Sequence, residues 1–119
     1  MEIKAHEADG ISIAEVISDE LILTAPDDAL DLIGNISYSG FDGVILHEKN
    51  ITPEFFDLKT KLAGEILQKF TTYRLRLCII GDFTNVESKS LRDFIYESNK
   101  GRQVNFVSTT EEAVSALTK

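Results

Sequence analysis

Apolar and polar residues alternate along residues 2–6 and 11–17, with Ala8-Asp9-Gly10 between the two runs. Alternation buries one face of a strand, and an Asp-Gly pair tolerates the positive φ angles of a tight turn, so the chain is predicted to open with a β-hairpin. After a short apolar run at residues 21–23, Pro26 stands ahead of Asp27 and Asp28. The first turn of a helix leaves its N–H groups unused and carries positive charge, so proline and carboxylates there predict a helix start. Ala29, Leu30, Ile33 and Ile36 share its inward face, and Ser39-Gly40 ends it. Residues 43–47 then supply a short buried strand that runs into the polar triplet Glu48-Lys49-Asn50.

Thr52-Pro53-Glu54 repeats the same start signal, and the longest helix is predicted to begin there or a few residues later. Phe55, Phe56, Leu62, Ala63, Ile66, Leu67 and Phe70 recur mostly three or four residues apart, which makes a core-facing stripe. Residues 74–80 read as a strand whose end, Leu77-Cys78-Ile79-Ile80, is apolar enough to be covered on both faces. Ser88-Lys89-Ser90 caps a helix with Leu91, Phe94 and Ile95 inward, and Gly101 is expected to close it in the left-handed conformation. A last strand at residues 103–107 precedes a Thr-x-x-Glu capping box in Thr109-Thr110-Glu111-Glu112 and a final helix. The order is ββ, then αβ three times, then a helix. It predicts a single α/β domain over residues 1–119 with a mixed, mostly parallel sheet, the hairpin forming an antiparallel edge.

Composition narrows what such a domain does. At 119 residues, 43% apolar and 27% charged, the chain is sized and balanced for one folded core. No apolar run approaches the length of a bilayer span and no leader pattern opens the chain, so neither a membrane nor export is expected. Cys78 has no partner for an internal disulfide, which suits a reducing cytoplasm. A net charge of −8 argues against nucleic acid, because neutralising phosphates needs a basic face. The charge is uneven: residues 1–58 hold 13 acidic and 2 basic side chains, residues 59–119 hold 7 and 10. If the halves keep separate places in the fold, the surface is dipolar.

Parallel strands gather their loops at their carboxyl ends, which directs attention to His47, Glu48 and Asn50, to Gly81, Asp82 and Phe83, and to Ser108 and Thr109. A histidine beside carboxylates has the parts for acid–base work or for a ligand, and the same residues also serve simply to end strands and cap loops. No nucleotide fingerprint, zinc spacing or nucleophile elbow occurs, and no cofactor is expected. Asp57 and Thr60 stand where they can cap a helix starting at Lys61, which puts a hydroxyl at its positive end, open to phosphorylation. Lys89, Arg92, Lys100 and Arg102 form a candidate basic patch.

The runs HEKNITPEFFDLKTKLAGEILQKF, YRLRLCIIGDF and SKSLRDFIYESNKGRQVNFV resemble a family of small bacterial proteins known only as a domain of unknown function. More remotely, the element order is similar to the STAS domains of anti-sigma-factor antagonists. That resemblance implies a regulator that binds a partner kinase and is phosphorylated on a serine or threonine after an aspartate at the start of the second helix. Asp57-Leu58-Lys59-Thr60 occupies the corresponding segment, with Lys59 departing from the small hydroxyl residue expected nearby. The leading expectation is therefore a non-catalytic STAS-like module with a protein partner, bound around the second helix and controlled there by phosphorylation. The alternative is a small enzyme or ligand-binding domain in which His47, Glu48 and Asp82 converge. A third reading is a subunit that forms a homodimer through an exposed apolar helix face.

Overall fold

The hairpin predicted from Asp9-Gly10 joins β1 (Glu2–Ala8) to β2 (Ile11–Ile17), the two turn residues taking φ 54 and φ 78 in the computed structural model, which describes residues 2–119. From β2 the chain alternates: α1 (Pro26–Tyr38), β3 (Gly43–His47), the short α2 (Pro53–Phe56), α3 (Leu62–Thr72), β4 (Arg76–Ile80), α4 (Lys89–Lys100), β5 (Val104–Val107) and α5 (Thr110–Leu117). Sheet order follows chain order, β1-β2-β3-β4-β5, with β1 antiparallel to β2 and every later pair parallel. The α/β architecture with a mostly parallel sheet is the one expected.

That order dictates where the helices go. Crossovers between parallel strands are right-handed, so three crossovers stepping in one direction lay all their helices on one face. Ala29 and Ile33 of α1, Phe55 of α2, and Ile66 and Phe70 of α3 accordingly share one core with Val44, Leu46, Leu77 and Ile79, and Phe94 and Ile95 of α4 pack against it. The opposite face receives only α5, whose Ala113 and Leu117 cover Ile13, Ile45, Cys78 and Ile80. Cys78 is thus enclosed on both faces as predicted, and burial pushes its thiol up to about 12. Among the described residues only the edge of α5 borders the hairpin end of this second face.

Three details differ from the sequence reading. The stretch after Pro53 does not run as the longest helix: α2 stops after four residues, a 3₁₀ turn (Leu58–Thr60) follows, and α3 has 11 residues against 13 in α1. Asp57 causes the break, because its side chain accepts from the Lys59 N–H at 3.3 Å and starts the turn. Gly101 caps α4 at φ −98 rather than in the left-handed region. Leu32, not Leu30, completes the buried stripe of α1. Because strand order follows chain order, the acidic half of the chain occupies the β1–β3 end of the sheet and the basic half the β4–β5 end. No helix among the described residues is long and apolar enough to cross a membrane.

Candidate functional site

The carboxyl ends of β3, β4 and β5 lie in register, His47 beside Ile80 and Ile80 beside Val107, so their loops build one rim. Glu48 leaves β3 in a 3₁₀ turn (Glu48–Asn50), and its Oε1 accepts from the Asp82 N–H at 3.2 Å. It comes this close because Gly81 lacks a side chain: a Cβ there would lie 2.5 Å from Glu48 Oε1 and 2.9 Å from Phe83 Cζ. Gly81→Ala is expected to push both side chains aside at about 1–3 kcal/mol, the usual cost of overpacking. A lowered urea midpoint with shifted Phe83 ring resonances is the readout. The Asp82 carboxylate turns to its own loop instead, accepting from the Thr84 hydroxyl at 2.6 Å and N–H at 3.1 Å, and these bonds hold it below the usual aspartate range.

Asn50 is wholly buried. Its Oδ1 accepts from the His47 N–H at 3.1 Å, and its Nδ2 donates to the carbonyls of Ser18 at 2.8 Å and Glu20 at 2.9 Å. With both of its N–H groups committed and the side chain wholly buried, the amide is closed to a ligand; it clamps the loop after β2 onto the end of β3. That clamp presents Leu21, 52% exposed, beside Phe56, Phe83 and Val86, and these side chains with Ile51 and Pro53 enclose an apolar groove of about 360 Å³. Phe83 meets Phe106 of the core edge-on at 5.4 Å and Phe56 at 6.1 Å, which makes the groove floor continuous with the core.

Thr60 stands at the join between the 3₁₀ turn and α3. Its hydroxyl lies 2.9 Å from the Glu54 carbonyl and 2.8 Å from that of Asp57, donating to them, and it accepts from the Leu62 N–H at 3.2 Å. The side chain therefore caps the amino end of α3 and is exposed, as the sequence suggested. Lys61 follows at φ 65, a left-handed conformation that costs a non-glycine residue about 1 kcal/mol or more.

His47 faces away from this rim, onto the sheet face that α5 leaves bare. There its Nε2 lies 2.8 Å from Glu15 Oε2, while His6 Nε2 lies 2.8 Å from Glu15 Oε1. Glu15 is only 5% exposed. Burial by itself would raise its pKa; the hydrogen bonds from His6 and His47, together with the charge of the rings, outweigh it and hold the carboxyl below the usual glutamate range. An ionised carboxylate only accepts, so both imidazoles present N–H at Nε2. The result staples β1, β2 and β3 together. A hollow of about 650 Å³ bordered by Lys4, His6, Thr110 and Ser115 lies over it, and no group of three histidine, cysteine, aspartate or glutamate side chains among the described residues is placed to hold a metal.

The rim thus brings Glu48 and Asp82 together and leaves His47 out. Strand order never reverses, so the sheet lacks the switch point at which open α/β folds part their helices to make a ligand crevice. Nor do Lys89, Arg92 and Lys100 of α4, with Arg102 just beyond it, make one patch. Lys89 pairs with Asp93 at 2.7 Å and Arg92 donates to the Val86 and Glu87 carbonyls at one end, while Lys100 pairs with Glu97 at 3.2 Å at the other. His6 and Glu15 escaped the sequence reading; the available signal was a lone carboxylate inside the apolar run Ile13-Ala14-Glu15-Val16 with His6 on the matching face of the hairpin.

The family model described as "Domain of unknown function (DUF4180)" matches residues 8–117, almost the whole fold just described. The chain belongs to the DUF4180 family. No curated protein matches it. In this DUF4180 domain the match runs from the end of β1 to the last residue of α5, so the rim, the groove and the Glu15 staple, apart from His6, all fall within the family's segment.

Proposed function

We propose that the domain is a non-catalytic, STAS-like regulatory module that binds a protein partner through the strand-end rim, across the apolar groove, α2 and the start of α3. The observation that carries this reading is the groove itself: a half-exposed leucine and two phenylalanines, Leu21, Phe56 and Phe83, stand open at the rim. Contiguous exposed apolar surface with polar surroundings is what protein-binding sites offer. The element order and the position of Thr60 after β3 support the STAS likeness.

Phosphorylation of Thr60 has a definite physical consequence at this place. It removes the O–H that reaches the Glu54 and Asp57 carbonyls and sets a charge near −2 against those two carbonyl oxygens, which drives the 57–61 link to rearrange. Pull-downs from the native host with wild type, Thr60→Ala, Thr60→Glu and Leu21→Ser are expected to differ, Leu21→Ser losing the partner at least tenfold. Identical partner sets for both Thr60 variants, matching wild type, discard the switch; a Leu21→Ser set identical to wild type discards the docking surface.

A further inference from the structure

We propose that the occupant of the groove is a basic amphipathic segment of the partner, a helix with lysine or arginine flanking two or three apolar anchors; this rests on the partner-binding reading above. The charge around the groove carries the inference. Five of the seven apolar wall residues have an exposed carboxylate as chain neighbour: Glu20 beside Leu21, Glu54 beside Pro53, Asp57 beside Phe56, Asp82 beside Phe83 and Glu87 beside Val86. Glu48 stands in the wall itself. Two cations stand against these carboxylates: Lys49, also in the wall, has its Nζ paired with Asp19 at 2.8 Å, and Arg92 donates to the Val86 and Glu87 carbonyls at 2.9 and 2.8 Å and keeps its charge; the six carboxylates outnumber them. Lys59 and Lys61 do not line the groove.

An apolar slot whose surround is predominantly of one sign of charge attracts a segment of the opposite sign and disfavours one of the same sign. The volume, about 360 Å³, is at the small end of binding sites and suits a pair of side chains at i and i+4 of one helix rather than a larger ligand. The acidic half of the chain lying at one end of the sheet extends the same field beyond the groove.

The probe is a designed amphipathic peptide with leucines along one face and lysines on the other, compared with the same peptide carrying glutamate in place of lysine. Fluorescence anisotropy should give micromolar binding of the lysine peptide, at least tenfold weaker at 500 mM than at 50 mM salt, with amide resonance shifts centred on Leu21, Phe83 and Val86. Glu20→Lys, Glu54→Lys and Glu87→Lys combined, all at exposed positions, should invert the preference in favour of the glutamate peptide. Equal binding of both peptides, or shifts centred on Asp27 and Asp31 of α1, overturns the proposal. So does self-association seen by light scattering with the same shifts in the absence of peptide, which makes a second copy the occupant. If the lysine peptide fails while Leu21→Ser still loses the native partner, the basic segment is wrong and the docking surface stands. If Leu21→Ser keeps that partner, the docking surface itself falls.

Discussion

Asn50→Ala will lower the unfolding free energy by about 3 kcal/mol, although the substitution touches no catalytic group. Three hydrogen bonds end on that side chain, to the His47 N–H and to the Ser18 and Glu20 carbonyls. A net bond is worth about 1 kcal/mol, and a buried partner left unsatisfied costs about 1–3 kcal/mol more, so the loss exceeds that of a typical core polar residue. Asn50→Asp sharpens the test. A carboxylate cannot donate to two carbonyls, and burial among them raises its pKa, so this variant is expected to be the less stable of the two at pH 7 and to recover part of the loss as pH falls and the acid becomes protonated. Urea unfolding at pH 7 and pH 5 reads both effects. A penalty under 1 kcal/mol for Asn50→Ala would mean that the loop after β2 is held by something other than this amide.

Glu15→Ala is expected to cost about 2–4 kcal/mol, because it strands two imidazoles on a sheet face otherwise paved with isoleucine. Glu15→Gln, which keeps shape and one acceptor, should cost about half as much. The pH dependence follows from the lowered pKa of Glu15. A carboxyl whose pKa is lower when folded stabilises fully above its unfolded value, about 4.3, and loses that contribution as pH falls through the folded value. The gap between wild type and Glu15→Gln should therefore be present at pH 7 and narrow below about pH 4.3. A gap that stays constant down to pH 3 would show that folding does not lower the pKa of Glu15, and a gap that widens as pH falls would show that the carboxyl is protonated in the folded protein.

Much of the fold could be read from the residues because its signals are local. Asp9-Gly10, Pro26 and the Thr109 to Glu112 box each specify their own few residues, and the ββ(αβ)₃α order with right-handed crossovers leaves little choice of topology. The break after Phe56 was hidden because the spacing of Phe55, Leu62 and Ile66 continues a helical stripe straight through it, and only the Asp57 side chain interrupts the ladder. The site was legible in part. Position along the chain located the rim and Thr60, yet strand alternation decides on which face a side chain emerges, and it sent His47 to the far side from Glu48. The Glu15 staple depends on pairing across three strands: His6, 9 residues away, was within reach of the hairpin pattern, but His47, 32 residues away, joins only through the β2–β3 pairing, which no local window of sequence spans.

The neighbour-to-neighbour order of the five strands bears on how the molecule is made. As the chain leaves the ribosome, the hairpin is complete first, and each later strand finds its docking edge already formed by the strand synthesised just before it. No finished ladder has to open to admit a newcomer, so loops close over short distances and assembly can keep pace with translation.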